Sequence, residues 1–567
     1  MQEGTINTAK SRQVLFYALA GWFVLNLLQA VFTELFHDEA YYWVYSRNLT
    51  FTYFDQMPAV ACWIRAGEFL IPGEAGVRLL TVLASAPVIY GIYRLSEIEN
   101  PRWFFFFVFS TMIVHVGGFL TAPDSVLGLA IVLFLFAYRR WLRTPGLKAA
   151  LLLALAGAFV CYSKYQGIPF IIITFLLNIR KWNKLVFWLP PVLTVLLASP
   201  IYFNDPETVR QTLAFHLAGR NGGQTPLQLY SNFFSSQFAV LGPFILPYLV
   251  IAVVRFRSED FFFASLRYAV IIYYCLLLII SFHSNVEGNW CGPAVPGMII
   301  LSIRYWTGRP RAWRFARYVF GSSAVVLLLA RVYLVWDFLP ADLSRKLYPE
   351  YHGWDRWAQQ VKDICGDERV VISNSYQLTS KYWFYSGSPA TCASNSRYRK
   401  NQFSVMPMEQ EWQGQPVWFA YPYQRAAGMD SVTDPWGRTL FFERYDRFYS
   451  YYDVEIRLVS LPAILPTGDT SLLEFEIAPA GDSGKALIAE KEGIITIGYW
   501  WLNEREQYSS FDDTTNYHGT VLPATGIRRF IPIITPTEPG EYLFCTYFLV
   551  DHRGFSMNSV PVKIKVQ

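Results

Sequence analysis

Close cysteine pairs are missing from this chain. Its seven cysteines, at 62, 161, 275, 291, 365, 392 and 545, are scattered, without the short paired spacing that zinc and haem sites need; four fall in apolar segments and read as core residues. Charge is scarce as well. Only 16% of residues are charged, the net charge is +5, and no Lys/Arg run is interleaved with base-stacking aromatics, so nucleic acid is not an expected partner. There is no internal repeat and no low-complexity tract. No small-residue cleavage pattern follows the first apolar stretch, which therefore reads as an uncleaved anchor. What abounds is apolar: 53% hydrophobic and 18% aromatic residues, in 567 residues, more than one ordinary domain holds. Membrane embedding is the first expectation.

The apolar stretch from Val14 to Phe32 is long enough to cross a bilayer. Further apolar runs follow, roughly at 77–93, 103–120, 125–142, 147–161, 166–179, 185–203, 237–254, 268–282, 291–306 and 318–336, which predicts about 11 transmembrane helices. Lys and Arg gather at alternate ends of these runs, among them Lys10, Arg94, Arg139, Arg140, Arg143, Arg180, Arg255 and Arg314. The opposite ends hold only Arg47, Arg65, Arg78, Lys164, Arg210 and Arg220. Short cytoplasmic loops collect basic residues, so the bias predicts a cytoplasmic N-terminus, with everything beyond residue 340 outside. Residues 34–75 form a polar, aromatic first outer loop in which Met57 to Leu70 is amphipathic enough to lie along the membrane.

Two pieces are expected in the outer tail. From 341 to 460 helix-like runs (HGWDRWAQQVKDI, and another from Gln377) alternate with strand-like RVVIS and VWFAYPY, an α/β pattern. From 461 to 567 short alternating runs (LLEFEI, GIITIGYW, PVKIKV) between Gly, Pro, Asp and Asn turns predict an immunoglobulin-like β-sandwich, with PGEYLFC similar to the corner that opens a late strand in such domains. Cys365 and Cys392 lie where a disulfide is permitted, and buried free thiols are an equal alternative.

Chemistry concentrates in FHDEAYYW, Phe36 to Trp43. Asp38 and Glu39 fall where a membrane helix meets water, a costly place for acids and hence a mark of function; the plainer reading is that Asp38 caps a helix over Glu39 to Tyr45. A second acid, Asp124, stands in the outer turn TAPDSVLGLA, where Pro123 and Asp124 also make a good helix start.

HDEAYYW, then YFDQMPAVACWIRAG, GVRLL at Gly76 to Leu80 and the acid of APDS together resemble the GT-C membrane glycosyltransferases. Nearest in pattern are bacterial relatives of the protein O-mannosyltransferases and the lipid A aminoarabinose and galacturonic acid transferases. The resemblance spans roughly residues 14–340, with SKYQGIPF and HLAGRNGG as weaker features. It implies a multi-pass protein of the bacterial inner membrane with periplasmic C-terminal domains. Such an enzyme passes a sugar from a polyprenyl-phosphate donor to a lipid A, glycan or protein acceptor, with inversion, and needs no metal or other cofactor.

By the same resemblance Asp38 is the general base, since a hydroxyl is a weak nucleophile until a positioned group takes its proton. Glu39, about 100° away on a helix, orients the loop or contacts the sugar, and Asp124 supports the acceptor side or orders the loop. A lipid phosphate leaving group calls for cations: Lys164, in a very short outer turn, and Arg220, in a Gly-rich loop, are the candidates. Either side chain could instead be interfacial. Tyr53 and Asp55 of YFDQMP are placed with the substrate, Asp55 binding the sugar or capping the helix near Pro58. Many relatives carry His-Pro-Pro or Lys-Pro-Pro after the loop tyrosines. Here Gln56 and Met57 follow Asp55, so a cation often given a phosphate role is missing. His283 and Glu287 could ligate a metal, but two ligands make a weak case. The rival reading is a transporter of lipid-linked sugars, which should show repeated halves and charges at the membrane midplane; here the acids cluster at one face.

Overall fold

Apolar runs fold into helices, and the hydroxyl, glycine and proline residues between them decide where each one stops. The computed structural model describes residues 8–567 except 100, 182–183, 207, 211, 213–224, 243, 308, 341–342, 344–349, 394–400, 452–453, 461, 463, 480–494, 504–506, 513–516, 518–521, 524 and 551–552. Two compact units result, Met1–His352 and Gly353–Gln567.

Among the described residues of the first unit, six helices are long and apolar enough to cross a membrane: Ser11–Phe32, Glu74–Ser96, Pro123–Arg143, Leu185–Phe203, Phe261–Ile280 and Ala316–Val335. The pair Pro226–Leu241 and Leu246–Arg255, bent by 100°, makes a seventh if counted as one span. The other expected spans fall on shorter helices such as Leu147–Ser163 and Gly167–Leu176; ten residues rise only about 15 Å, half a hydrocarbon core. The stretch 103–120 is broken into Pro101–Phe109 and Met112–Phe119. At the break the Ser110 hydroxyl donates to the carbonyls of Phe106 and Phe320, and Thr111 to that of Phe107, a local bonding that competes with helix continuation.

The first loop contains two helices. Helix α1 (Thr8–Phe32) leads to α2 (His37–Arg47), then α3 (Ala59–Leu70) and α4 (Glu74–Ser96). In α2 every residue from Glu39 to Ser46 is buried, so this loop helix is a core element. The expected amphipathic helix is α3: Val60, Ala61, Ile64 and Gly67 are buried at helical spacing, while Phe69 and Leu70 are exposed. The turn from α3 to α4 explains the glycine of GVRLL. A Cβ on Gly76 would sit 1.7 Å from the Ile71 carbonyl oxygen, and one on Gly67 2.2 Å from that of Gly76, so only glycine allows this approach. Two further helices complete the frame of the site, α7 (Pro123–Arg143) and α8 (Leu147–Ser163), with α5 and α6 the two halves of the broken stretch.

In the second unit, strands β1 (Arg369–Ser373), β2 (Ala390–Ala393) and β3 (Val417–Tyr421) are parallel, joined on the β3 side by antiparallel β5 (Thr439–Tyr445) and β4 (Asp430–Thr433), in the order β2-β1-β3-β5-β4. The amphipathic helix Trp354–Cys365 covers this sheet with Trp354, Trp357 and Val361. Two antiparallel sheets follow. One runs β10-β7-β6 (Ile527–Ile534, Thr470–Pro479, Val454–Leu458). The other runs β12-β11-β8-β9 (Arg553–Met557, Gly540–Val550, Ile495–Leu502, Gln507–Asp512), with β13 (Val562–Val566) also on β11. Inward residues of both, Phe475, Ile477, Trp501 and Phe544, share one core with Phe419 and Tyr421 of the α/β sheet. In PGEYLFC the Tyr542 hydroxyl donates to the Glu538 carbonyl at 3.0 Å, pinning the start of β11. Cys365 and Cys392 are separate buried thiols.

Candidate active site

Helix α2 begins two residues earlier than its sequence implies, at His37. Phe36 occupies the cap position with no side-chain cap bond, and Asp38 lies within the first turn, so the capping role open to Asp38 is not the one it plays. Among the described residues its carboxylate accepts no hydrogen bond. Its neighbours are charges: His37 Nε2 lies 3.6 Å from Asp38 Oδ1, and His37 Nδ1 lies 3.1 Å from Glu350 Oε2. The Asp38 side chain is 37% exposed, and that exposure is to a cavity. Burial within the protein, opposed in part by His37 and reinforced by Glu350, raises its pKa above the ordinary 3.8.

Glu39 is the opposite case. Its side chain is fully buried and both oxygens are saturated: Oε1 accepts from Arg78 Nε at 2.9 Å and Thr121 N at 2.8 Å, and Oε2 from Arg78 Nη2 at 2.5 Å and Phe36 N at 3.0 Å. Arg78, also fully buried, spends its remaining donors on the carbonyls of Ala30, Thr33 and Glu34 beyond and at the end of α1. One bidentate pair thus ties together α1, α2, α4 and the turn before α7.

Asp124 stands in the first turn of α7, after Pro123 at the first helical position, where the helix dipole favours a carboxylate. Its Oδ2 accepts from Lys164 Nζ at 2.6 Å and Asn289 Nδ2 at 2.9 Å, while Oδ1 is buried and has no partner among the described residues. Lys164, at the end of α8, is itself buried. The structure therefore brings Lys164 to Asp124, an ion pair that their separation in sequence gave no reason to expect.

Tyr53 and Asp55 do not line the cavity. The Tyr53 ring stacks on Tyr45 at 4.7 Å, and its hydroxyl accepts from Thr50 N and donates to the Asn48 carbonyl. Asp55 accepts from the Tyr45 hydroxyl; burial pushes it up to about 6, against the lowering effect of that bond, and Asp38 adds to the rise. Pro58, not Asp55, occupies the cap of α3. Arg220 and the loop HLAGRNGG lie outside the described residues. Glu287 accepts from Asn285, and no group of three His, Cys, Asp or Glu suited to a metal occurs among the described residues.

Asp38 and Asp124 open into one cavity of about 340 Å³. Along α4 it is lined by Thr81, Ser85, Val88, Ile89 and Ile92, a stripe at helical spacing about 16 Å long. The polar end is fixed by Thr81, whose hydroxyl lies 2.7 Å from that of Thr121 beside Glu39. Asp38, Tyr42, Asp124, Asn289 and Tyr351 also line the cavity, and Val88, Ile92, Val108 and Ile299 make its walls apolar. A polar head with an attached apolar chain fits such a space.

No family model matches the chain. Among solved structures, ArnT from Cupriavidus metallidurans in the apo state aligns with TM-score 0.54, covering 76% of this chain and 98% of that one at 14% identity. The structure of that ArnT bound to undecaprenyl phosphate aligns with TM-score 0.52 over the same shares. The fold is that of this ArnT. In sequence, the lipid A galacturonosyltransferase RgtD of Rhizobium johnstonii is 25% identical over 406 residues, 66% of this chain and 84% of RgtD. The likeness to ArnT covers more of the chain than the resemblance first read in residues 14–340.

Residues of the site that the sequence did not single out individually are Asn289 and Tyr351, which line the cavity, His37 and Glu350 near Asp38, and Arg78 on Glu39. Two stood inside quoted motifs, His37 in FHDEAYYW and Arg78 in GVRLL, and Asn289 lies two residues beyond Glu287. Glu350 and Tyr351 lie in a polar stretch after the last apolar helix, with no local pattern to mark them.

Proposed function

We propose that this protein transfers a sugar from a polyprenyl-phosphate donor to a hydroxyl of lipid A, with inversion. The observation that carries this is the cavity: two acids, Asp38 and Asp124, open into it, and its lining along α4 runs about 16 Å from the polar Thr81 and Ser85 to the apolar Val88, Ile89 and Ile92. The RgtD relative is named for transfer to lipid A, and the ArnT structure holds undecaprenyl phosphate, which supports the same pair of substrates. In the step proposed, Asp38 takes the proton of the acceptor hydroxyl as its oxygen bonds to the anomeric carbon. The bond from that carbon to the phosphate oxygen breaks on the opposite face, and its electron pair leaves on the phosphate. Asp124 and Lys164 hold the donor end, Glu39 orients the loop, and no metal is invoked. The basic bias of alternate ends supports a cytoplasmic N-terminus in the bacterial inner membrane, with about 11 crossings, and a periplasmic second unit containing the α/β piece and the sandwich. A glycan or protein acceptor, and transport of lipid-linked sugar, are the competing outcomes.

The test incubates purified protein with radiolabelled polyprenyl-phosphate galacturonic acid or aminoarabinose and with lipid A. Label on lipid A supports the proposal; label moved across vesicles without a new glycosidic bond refutes it.

Lys164 gives a sharper check. An ammonium has three donors, and one goes to Asp124. If the others meet the phosphate, Lys164→Ala is expected to cost about 1.5–3 kcal/mol of undecaprenyl phosphate binding, the value of a hydrogen bond to a charged group. Lost thermal stability with unchanged affinity would confine Lys164 to holding Asp124.

A further inference from the structure

A second pocket, of about 540 Å³, lies at the far ends of α4 and α7, lined by Arg94 and Glu97 from the one and by Phe136, Arg139, Arg140 and Arg143 from the other. Asp124 opens α7 and Arg140 lies near its end, about 24 Å further along the axis. Most of a hydrocarbon core therefore separates this pocket from the cavity at Asp38. Four guanidiniums line it against one carboxylate. Glu97, the residue that ends α4, accepts through Oε1 from Arg139 and Arg143, and through Oε2 from Arg304 of the helix Val295–Thr307 at 3.4 Å. Arg139 and Arg304 also donate to the carbonyls of Leu95 and Ser96, at the end of α4 where the helix dipole favours cations. A second acid, Asp260, acts on both arginines, and its carboxylate caps the helix Phe261–Ile280 through the Phe262 amide. These contacts build the inner wall without using up the charge.

We propose that this pocket binds the phosphate head group of an anionic phospholipid. Arg139, whose side chain is 9% exposed, keeps a buried Nε with no partner among the described residues, and so does Arg304. Arg140 is exposed and has no side-chain hydrogen bond or ion pair among the described residues. Such donors suit phosphate, because the planar fork of a guanidinium matches two of its oxygens. A bias of basic residues toward one membrane face would scatter arginines over many helix ends; here four of them line one pocket. The surface beside it points to a lipid. Phe136, Leu133 and Tyr90 lie further into the span than the arginines and are 39%, 45% and 40% exposed, and Phe136 lies against α4 at Gly91. A head group seated among the arginines places its acyl chains along this apolar strip. Basic pockets between helix ends are where anionic head groups bind.

The experiment is native mass spectrometry of the purified full-length protein in detergent, titrated with diphosphatidylglycerol, phosphatidylcholine or inorganic phosphate. Diphosphatidylglycerol is expected to bind saturably. Arg140→Gln and Arg143→Gln are each expected to weaken it about fivefold, the worth of one basic side chain near an anionic lipid surface. A control carrying both Lys148→Gln and Arg317→Gln removes two exposed charges that do not line the pocket, and its lipid affinity should match the parent's. Melting temperature reports folding in every variant. Unchanged affinity in the pocket variants overturns the proposal, and an equal loss in the control does so too, since general surface charge would then account for the binding. Phosphatidylcholine bound as tightly as diphosphatidylglycerol also refutes it. So does displacement of the lipid by inorganic phosphate at the same concentration, which would make the ligand a free anion. Should Arg143→Gln fail to fold, Arg140→Gln, with no partner to lose, reads the same change. Lipid binding needs no turnover, so the result stands whether or not the chain transfers a sugar at Asp38.

Discussion

Asp38→Asn is expected to lower turnover by roughly 10² to 10⁴, the usual worth of a general base, while donor affinity and thermal stability stay close to those of the parent protein. The substitution isolates chemistry because the structure gives Asp38 little else to do. It is not the cap of α2, it accepts no hydrogen bond among the described residues, and it faces the cavity that also receives Asp124. An amide of the same shape fills the space and cannot take a proton. Burial raises the pKa of Asp38 above 3.8, which makes it a stronger base than a solvated aspartate. The same shift fixes the direction of a pH effect: Asp38 is active when ionised, so kcat/KM should fall as pH drops through this raised value, at a pH above the ordinary aspartate range. The measurements are turnover, donor affinity and melting temperature on one purified preparation. Normal turnover in the folded mutant would remove Asp38 from the mechanism. Asp124, whose buried Oδ1 lacks a partner among the described residues, would then be the acid to test.

Much of this arrangement was legible in the chain. Motifs within one loop read well because their residues meet through local geometry: FHDEAYYW forms a helix, and the apolar spacing of Val60, Ala61 and Ile64 makes α3 amphipathic. The acids of the two loops were both marked by the cost of placing charge there. What the chain concealed was partnership across it. Arg78 reads as one basic residue among few on the outer ends, yet it folds back on Glu39, and Lys164 reaches Asp124 from the end of another helix. Such pairings depend on helix packing, which hydropathy does not specify. Helix lengths were hard to read for a related reason. Phe104 to Phe119 is mostly apolar, and the break in it is made by the hydroxyls of Ser110 and Thr111 bonding to carbonyls, a local event inside a hydrophobic run. The two pieces beyond residue 340 differ in periodicity, but periodicity carries no record of the core that Phe419 shares with Phe475.

Breaking the pair between Glu39 and Arg78 should cost more stability than any other single change considered for the site. Both side chains are fully buried, and removing one partner leaves the other charge uncompensated, which costs about 3–5 kcal/mol in buried pairs. Arg78→Met is expected to fall at the upper end. It leaves the Glu39 carboxylate with only the amides of Thr121 and Phe36, and takes the donors from three carbonyls, those of Ala30, Thr33 and Glu34. Arg78→Lys should recover little, since a single ammonium cannot reproduce a planar fork shared between a carboxylate and three carbonyls. Glu39→Gln should be milder, because the amide oxygen still accepts and the guanidinium keeps its backbone partners. The double substitution should cost less than the sum of the single ones, because the charge each single change strands is absent when both are gone. Thermal unfolding of the four proteins in detergent gives the cycle. In this arrangement Glu39 orients the loop and takes no proton, so whatever turnover Glu39→Gln loses should track its loss of stability and return on cooling. A Glu39→Gln protein as stable as the parent but without turnover would instead place Glu39 in the chemistry.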